Sequence, residues 1–174
     1  MSHHENGASV GIVPERAKGC LVATPLGRDL FIASDGLAIV ESRFVARRRG
    51  PRSQPSDVLL LEASAQVRAY FERRLSRFDL PLQLAGTPLQ IAAWQAAASL
   101  SFGEFASYAD IAAAIGRPGA HRGVASAMAA TAIDLFVPAH RVIGADGRVK
   151  GANPGSVRLR LVLFERGHPA RGSP

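Results

Sequence analysis

Hydrophobic and polar residues alternate along the chain from residue 19 to residue 45. Three such segments stand out, at 19–25 (GCLVATP), 28–34 (RDLFIAS) and 37–45 (LAIVESRFV), and turn residues separate them. This pattern predicts a small antiparallel sheet of three strands. The polar stretch 46–57 follows, with two prolines and a cluster of arginines. We interpret that cluster as a solvated loop rather than a binding patch.

The spacing of hydrophobic residues then becomes helical. Asp57 is positioned to cap a helix that begins at Val58. An extended linker, DLPLQLAG, follows, and we place a domain boundary near Ala85. The apolar positions with helical spacing are Leu60, Leu61, Ala65, Val67, Ala69, Tyr70 and Phe71, and the basic residues that favour the C-terminal end through the helix dipole are Arg73, Arg74 and Arg77.

The second half of the chain begins with a strong helix-start signal. Thr87 is a predicted N-cap and Pro88 occupies the first helical position. Ile91, Trp94 and Ala98 form one predicted buried face of this helix.

Two short helices come next, joined by a turn at 115–119 that contains glycine and proline. The first runs from about Ser107 and is ended by Gly116, and the second carries Arg122. This arrangement predicts a helix-turn-helix. The second helix suits either close approach to a nucleic-acid backbone or tight packing on its neighbours. Its small residues are Ala120, Gly123, Ala125, Ser126, Ala127, Ala129 and Ala130, and the predicted buried face of the first helix is Tyr108, Ile111, Ala112 and Ile115.

The last part of the chain completes a winged-helix pattern. The Asp-Gly pair within GADGRVKG predicts a hairpin that serves as the wing. A final helix then ends at Gly167. The predicted fold class is α/β plus α: a flexible N-terminus at 1–18, an α/β domain with a three-stranded antiparallel sheet and a helix at 19–85, and a mainly helical winged helix-turn-helix domain at 86–174.

Charge and composition narrow the class of protein. The net charge is +7 and the pI is 10.9, with 12 basic and 9 acidic residues (+3) in 1–84 and 9 and 5 (+4) in 85–174. This excess indicates a polyanionic partner such as nucleic acid, or a solvated basic surface. The single cysteine, Cys20, excludes an internal disulfide and a cysteine-rich zinc site. With no secretory or membrane-spanning segment, we expect a cytoplasmic protein without metal or cofactor.

Candidate chemistry is concentrated in the stretch FVPAHRVIGADG. Pro138 precedes His140 and Arg141, so an imidazole and a guanidinium follow a rigid residue. Between them stands Ala139, which has no reactive side-chain atom. The residues therefore indicate a prepared site that lacks a nucleophile.

These motifs resemble a known family. Residues 86–167 are similar to the DNA-binding and active-site domain of the O6-alkylguanine-DNA alkyltransferases, through GTPLQIAAW, SYADIAAAIGRPGAHRGVASAM, VPAHRVIGADGRVKG and LFERG. The first part of the chain resembles the N-terminal domain of that family more weakly. In the family a cysteine between proline and histidine attacks the alkyl group of a flipped-out guanine, so Ala139 implies that this transfer is absent.

The resemblance also implies roles for other residues. His140 matches the histidine that relays the proton, and Glu165 matches the carboxylate that orients that histidine. Because the thiol is missing, the alternative is that the two residues form a buried pair that only holds the motif together. Arg122 matches the arginine finger, which enters the base stack in place of the flipped nucleotide. The alternative is that Arg122 only contacts a phosphate. Tyr108 matches the tyrosine that contacts the flipped nucleotide. The alternative is that Tyr108 is an ordinary core residue. Arg141 is read as structural. The implied DNA contacts are Ser107, Tyr108, Ala120, Arg122 and Ser126, and the implied lesion pocket is Tyr108, Met128, Ala139, His140 and Val142.

Three nearby departures from the family pattern put the tightness of the alkyl pocket in doubt and favour a natural non-catalytic relative over a laboratory Cys-to-Ala change. They are Thr131 and Ala132, in place of asparagine and proline in the hinge, and GANPG, in place of a glycine-rich stretch with a tyrosine. The chain also keeps an N-terminal domain that many cysteine-less alkyltransferase-like proteins lack. Loss of the sulfur at Ala139 either enlarges the pocket for bulky alkyl groups or reflects decay of the site.

Three functions remain open from the sequence. The first is a non-catalytic alkyltransferase-like protein, which binds and flips O6-alkylguanine in double-stranded DNA and hands it to nucleotide excision repair. The second is an O6-alkylguanine-DNA methyltransferase inactivated by a Cys-to-Ala change. The third is a winged-helix regulatory protein with a vestigial pocket. We expect a monomer associated with the nucleoid and not with a membrane.

Overall fold

The N-terminal sheet has the three predicted strands. The computed structural model describes residues 17–149, 153 and 155–167 of the chain, so most of the predicted flexible segment 1–18 lies outside the described residues. The strands pair antiparallel in the order β1-β2-β3, with Leu30 opposite Val22 and Phe44. Their bounds are β1 Lys18–Ala23, β2 Arg28–Ser34 and β3 Ile39–Ala46.

Helix α1 (Val58–Phe71) covers one face of this sheet. The side chain of Asp57 accepts a hydrogen bond from the Leu60 amide at 2.8 Å, which confirms the predicted N-cap. Among the predicted apolar positions, Leu60, Val67 and Tyr70 are buried, whereas Leu61 is 53% exposed.

The arginine loop after β3 is not simply solvated, as the sequence had suggested. Asp29 is fully buried, and Arg52 donates to both of its carboxylate oxygens at 3.1 Å. The backbone amide of Arg48 donates to the same carboxylate at 3.0 Å. Burial opposes ionisation of Asp29, but these donors and the neighbouring charges hold the pKa of Asp29 below its usual value. The loop is therefore anchored to β2 by a buried ion.

The rest of the chain is mainly helical, as predicted. A capping box formed by Thr87 and Gln90 begins α2, with Pro88 at its first position. The buried face of α2 differs from the predicted one: Ala93, Trp94 and Ala97 are buried, while the predicted Ile91 and Ala98 are only partly buried. The remaining elements are α2 Pro88–Ala98, β4 Ala106–Ser107, α3 Tyr108–Ala114, α4 His121–Ala130, a 3-10 turn Ala139–Arg141, β5 Val142–Ile143 and α5 Val157–Arg166.

Helices α3 and α4 form the predicted helix-turn-helix. Ser107 caps α3 through the Asp110 amide, and Gly116 adopts a positive φ of 70° in the turn, where glycine has no steric penalty. In α4 the inward side chains Val124, Ala127 and Met128 are fully buried. The outward residues of α4 are exposed; the structure thus shows tight packing for the inner face, and close approach of the outer face to nucleic acid stays a prediction.

The predicted wing is only partly a hairpin. The Asp-Gly turn is present, because the Gly144 amide donates to the Arg148 carbonyl at 2.8 Å. However, residues 144–149 contain no strand, and β5 pairs in parallel with β4 instead. Lys150 and most of GANPG lie outside the described residues.

Strand β3 joins the sheet to the helical part at the hinge before the PAHR motif. The Ser42 amide donates to the Ala132 carbonyl at 3.0 Å, and the Asp134 amide donates to the Ser42 carbonyl at 2.9 Å. The Ser42 hydroxyl donates to the Asp134 carbonyl at 2.7 Å. The N-terminal sheet therefore fixes the backbone that leads into the motif. The division of the chain into two domains near residue 85 stays a prediction.

No helix of the described residues is long and apolar enough to cross a membrane.

Candidate functional site

The PAHR motif lies in the interior, at the start of the 3-10 turn. Pro138 precedes the turn, and the Arg141 amide donates back to the Pro138 carbonyl at 2.9 Å. Ala139 is 6% exposed and His140 is 3% exposed. The first residue of the turn, where the resemblance implies a nucleophile, thus presents a buried methyl group.

Glu165 is the centre of a buried hydrogen-bond network around this turn. It lies on α5, and its Oε1 accepts from Tyr70 Oη at 2.6 Å and contacts His140 Nε2 at 2.8 Å. Its Oε2 accepts from the Gly103 amide at 3.0 Å. Because an ionised carboxylate only accepts hydrogen bonds, Nε2 of His140 carries the hydrogen. The network therefore joins α1, the loop before α3, the PAHR turn and α5.

Arg141 supplies the positive charge of the network. Its Nε donates to both oxygens of Glu165 at 3.1 Å, and its Nη2 donates to Oε1 at 3.0 Å. Its Nη1 donates to the Leu100 carbonyl at 2.6 Å. Arg141 and Glu165 are each 1% exposed. The guanidinium is thus a buried, fully paired ion, which agrees with the structural role read from the sequence.

Electrostatics fix the protonation state of these groups. Burial alone raises the pKa of Glu165, but hydrogen bonds and charges from His140 and Arg141 lower it to about 2. Burial lowers the pKa of His140 and outweighs the opposing effect of Glu165. Burial and the Glu165 charge raise the pKa of Tyr70 far above its usual value. At neutral pH the cluster therefore holds one carboxylate, one guanidinium and two neutral donors.

Cys20 does not replace the missing nucleophile at this site. It lies in β1 with no exposed surface, and its sulfur is 3.5 Å from the Ser64 hydroxyl of α1. Burial raises the pKa of the Cys20 thiol, so the reactive thiolate is disfavoured. The one cysteine of the chain therefore lies buried between the sheet and α1, away from the PAHR turn.

A cavity of about 640 Å³ opens between α3, the start of α4 and the Asp-Gly turn. Ser107 and Tyr108 line it, as do His121 and Asp146, which sequence reasoning had not singled out for the site. The sequence signals that pointed to this region were the predicted wing and the implied DNA contacts Ser107 and Tyr108. The full lining is Ser107, Tyr108, Ala109, His121, Gly144, Ala145, Asp146, Arg148 and Val149.

The structure divides the predicted site residues into two groups. Arg122 and Ser126 are exposed on α4, Ala120 precedes it half-buried, and Ser107 and Tyr108 begin α3. All five lie in or next to the helix-turn-helix, with Arg122 and Ser126 at the surface and Tyr108 buried at 8% exposure. The others are buried and do not line the cavity: Met128, Ala139, His140 and Val142. Of the predicted lesion pocket, only Tyr108 touches the cavity.

Comparison with known proteins places the chain in a family. Residues 88–166 match the family described as 6-O-methylguanine DNA methyltransferase, DNA binding domain. The methylated-DNA–protein-cysteine methyltransferase of Mycobacterium leprae is 36% identical over 145 residues, which cover 82% of this chain and 87% of that protein. The constitutive methyltransferase of Bacillus subtilis is 46% identical over 105 residues, covering 60% and 64%.

Solved structures of relatives share the fold. The crystal structure of the Mycobacterium tuberculosis O6-methylguanine methyltransferase has a TM-score of 0.74 and 32% identity, covering 87% of this chain and 93% of that chain. Mycobacterium tuberculosis OGT in complex with DNA has a TM-score of 0.71 and 34% identity, covering 84% and 91%.

These relatives are named as methyltransferases and match most of the chain, including its N-terminal sheet. These names favour the second function that the sequence left open, a methyltransferase inactivated by a Cys-to-Ala change. They favour it over the first, a non-catalytic alkyltransferase-like protein. The chain belongs to the O6-methylguanine-DNA methyltransferase family.

Proposed function

We propose that this protein binds O6-alkylguanine in duplex DNA and does not take up the alkyl group. The observation that carries the proposal is Ala139, which stands beside His140 in an otherwise complete network with Glu165 and Arg141. A methyl group has no lone pair and cannot attack an alkyl carbon. The network beside it ties the turn to α1 and α5 through Glu165, so the turn is ordered without a nucleophile.

Lesion binding uses the exposed face of the helix-turn-helix. Arg122 is the second residue of α4 and is exposed, and the small side chains of that face let the helix approach the duplex closely. The N-terminus of α4 carries the positive end of the helix dipole and favours a phosphate. Extruding a base costs a few kcal/mol, least for a poorly paired damaged base. Arg122 offsets part of this cost by filling the vacated stack.

The cavity beside Tyr108 receives the nucleotide that leaves the stack. Tyr108 is 8% exposed at the start of α3, directly after the N-cap Ser107. We further propose that the bound lesion is handed to nucleotide excision repair proteins, and that the protein acts as a monomer on the nucleoid of a reducing cytoplasm, in keeping with its charge of +7 and single cysteine.

A second candidate is a methyltransferase whose transfer step is lost only at residue 139. The relatives that match 82% of the chain are named as methyltransferases, and this favours it. In that case the network of His140, Arg141 and Glu165 still supports the transfer step. Ala139→Cys then restores stoichiometric transfer, whereas a site adapted to binding alone stays inert after the change.

A titration and a mass measurement test the proposal together. Matched duplexes with guanine, O6-methylguanine or a bulky O6-alkylguanine are titrated with the protein, and the intact mass is measured afterwards. We expect a lesion preference of more than about twofold, roughly 0.4 kcal/mol, and no adduct. Equal affinity for all duplexes identifies a general winged-helix DNA-binding protein instead, and an adduct on any residue refutes the non-catalytic proposal.

A further inference from the structure

The Asp-Gly turn at 144–149 forms one wall of the cavity, and the start of α3 forms another. Gly144 and Arg148 line the cavity from the turn, and Tyr108 lines it from α3. The turn is bonded internally, because the Gly144 amide donates to the Arg148 carbonyl and the Gly147 amide donates to the Gly144 carbonyl, each at 2.8 Å. It is therefore a compact unit, and its position sets the width of the cavity.

Arg166, the last residue of α5, connects this turn to the rest of the protein. Its Nη2 donates to the Gly147 carbonyl at 3.3 Å. The same guanidinium lies over the ring of Phe105, with its Cζ 4.9 Å from the ring centroid, which is within the range of a cation–π contact. One side chain therefore contacts both the turn and the loop that leads into α3.

The loop that carries Phe105 is fixed on both sides of the ring. Before it, the Gly103 amide donates to Glu165 Oε2 at 3.0 Å, and Glu165 is the neighbour of Arg166 on α5. After it, Ser107 is the N-cap of α3. The ring is therefore a fixed platform, and the arginine that stacks on it is held in place to bind the turn.

We propose that Arg166 is a positioning residue that holds the turn at 144–149 as a wall of the cavity, so that a nucleotide extruded from the duplex is enclosed there. The inference rests on the proposed function, which assigns that nucleotide to this cavity. Arg166 contacts a backbone carbonyl of the turn and does not itself line the cavity. Its loss therefore weakens binding of an extruded nucleotide and leaves contacts with stacked DNA unchanged.

Direct contact between Arg166 and a DNA phosphate gives a different result. The side chain is exposed, and an arginine at the surface can neutralise a phosphate. In that role its loss weakens binding to every duplex alike and lowers the slope of log affinity against log salt by about one. The turn and Phe105 then play no part in the effect.

Hydrogen–deuterium exchange and fluorescence anisotropy separate the two roles in the full chain. Arg166→Gln removes the cation, Phe105→Leu removes the aromatic platform but keeps an apolar side chain, and a double variant combines them. Arg160→Gln is the matched control, because it removes the same charge from the same helix and Arg160 donates to the Leu26 carbonyl at 2.7 Å. Exchange is measured at the amides of 144–149 without DNA. Affinity is measured with guanine and O6-methylguanine duplexes at several salt concentrations.

We expect the turn amides of Arg166→Gln to exchange about threefold faster, and its affinity for O6-methylguanine duplex to fall about threefold, the scale of one exposed cation–π contact. Its affinity for plain duplex and its salt slope match those of Arg160→Gln. Phe105→Leu gives the same effects, and the double variant adds nothing to them, as expected for one coupled pair.

Two results overturn the inference: turn amides that exchange in Arg166→Gln as they do in Arg160→Gln, or a salt slope that falls by about one relative to that control. An undiminished preference for O6-methylguanine in Arg166→Gln also overturns it. If exchange rises as expected but the native protein binds both duplexes equally, the proposed function itself is wrong.

Discussion

Replacing Tyr70 by phenylalanine removes one oxygen atom from the centre of the molecule. Tyr70 is 1% exposed, and its ring contacts with Phe78, Phe102 and Phe164 survive the change. What is lost is the 2.6 Å hydrogen bond to the ionised Glu165. The substitution therefore isolates a single link between α1 and α5.

The expected cost follows from the acceptor. A hydrogen bond to a charged group contributes about 1.5–3 kcal/mol. Glu165 keeps its contacts with His140, Arg141 and Gly103, so the carboxylate is not left unsatisfied. We therefore expect the lower half of that range, about 1.5–2 kcal/mol in the free energy of unfolding. For a chain of this length the melting temperature falls by about 3–8 °C.

Urea unfolding measures this cost against a matched control. Ser42→Ala also removes one buried hydroxyl that joins the sheet to the helical part, but its acceptor is the neutral Asp134 carbonyl. That carbonyl keeps a second donor in the Phe136 amide. We expect about 1 kcal/mol for the control. If Tyr70→Phe costs no more than Ser42→Ala, Glu165 does not gain from its charge, and the account of the network is wrong.

Three other predictions concern DNA binding, pH and helix formation. Arg122→Ala weakens binding to alkylated duplex by roughly 1–3 kcal/mol more than to plain duplex, with Tyr108→Phe as the milder control; equal losses on both duplexes contradict the finger assignment. The pKa of His140 is lowered from 6.5 and that of Glu165 from 4.5 to about 2, so the unfolded chain takes up protons first. Stability is therefore full above about pH 6.5 and falls as pH drops through 4.5 towards 2; chemical denaturation at stepped pH checks this, and constant stability down to pH 4 refutes it. Thr87→Ala breaks the capping box of α2 and lowers the free energy of unfolding by about 1 kcal/mol; in thermal melts, a change near zero contradicts the cap.

Much of the fold was predictable because its signals are local. Asp57, Thr87 and Ser107 are caps whose side chains bond amides three residues ahead, and such bonds depend only on nearby sequence. The turn at Gly116 likewise requires a backbone conformation that glycine adopts freely. The three strands of the sheet and the helices, including the helix-turn-helix, therefore followed from pattern, whereas the short parallel pair of β4 and β5 did not.

The features that the sequence did not indicate depend on distant partners. Tyr70 and Glu165 are 95 positions apart, and nothing in the helical spacing of α1 distinguishes Tyr70 from an ordinary core residue. Arg52 was read as solvated because its partner Asp29 lies two segments earlier. The buried face of α2 was misplaced by about one residue, since packing against α4 rather than hydrophobicity alone selects Ala97 over Ala98.

The candidate site shows the same division. The motif around His140 identified the turn, but its dense bonding to Arg141 and Glu165 is a property of the fold. This bonding explains why the surroundings of Ala139 persist without a nucleophile: the network joins four segments and stabilises the fold whether or not transfer occurs.

The central claim is that the chain binds the lesion without accepting its alkyl group. The most direct measurement incubates the native protein and Ala139→Cys with O6-methylguanine duplex, and follows complex formation by anisotropy and covalent change by intact mass. We predict that the native protein binds this duplex more than about twofold tighter than plain duplex, with no change in mass. A native protein that gains one methyl group, or that binds both duplexes equally, contradicts the account.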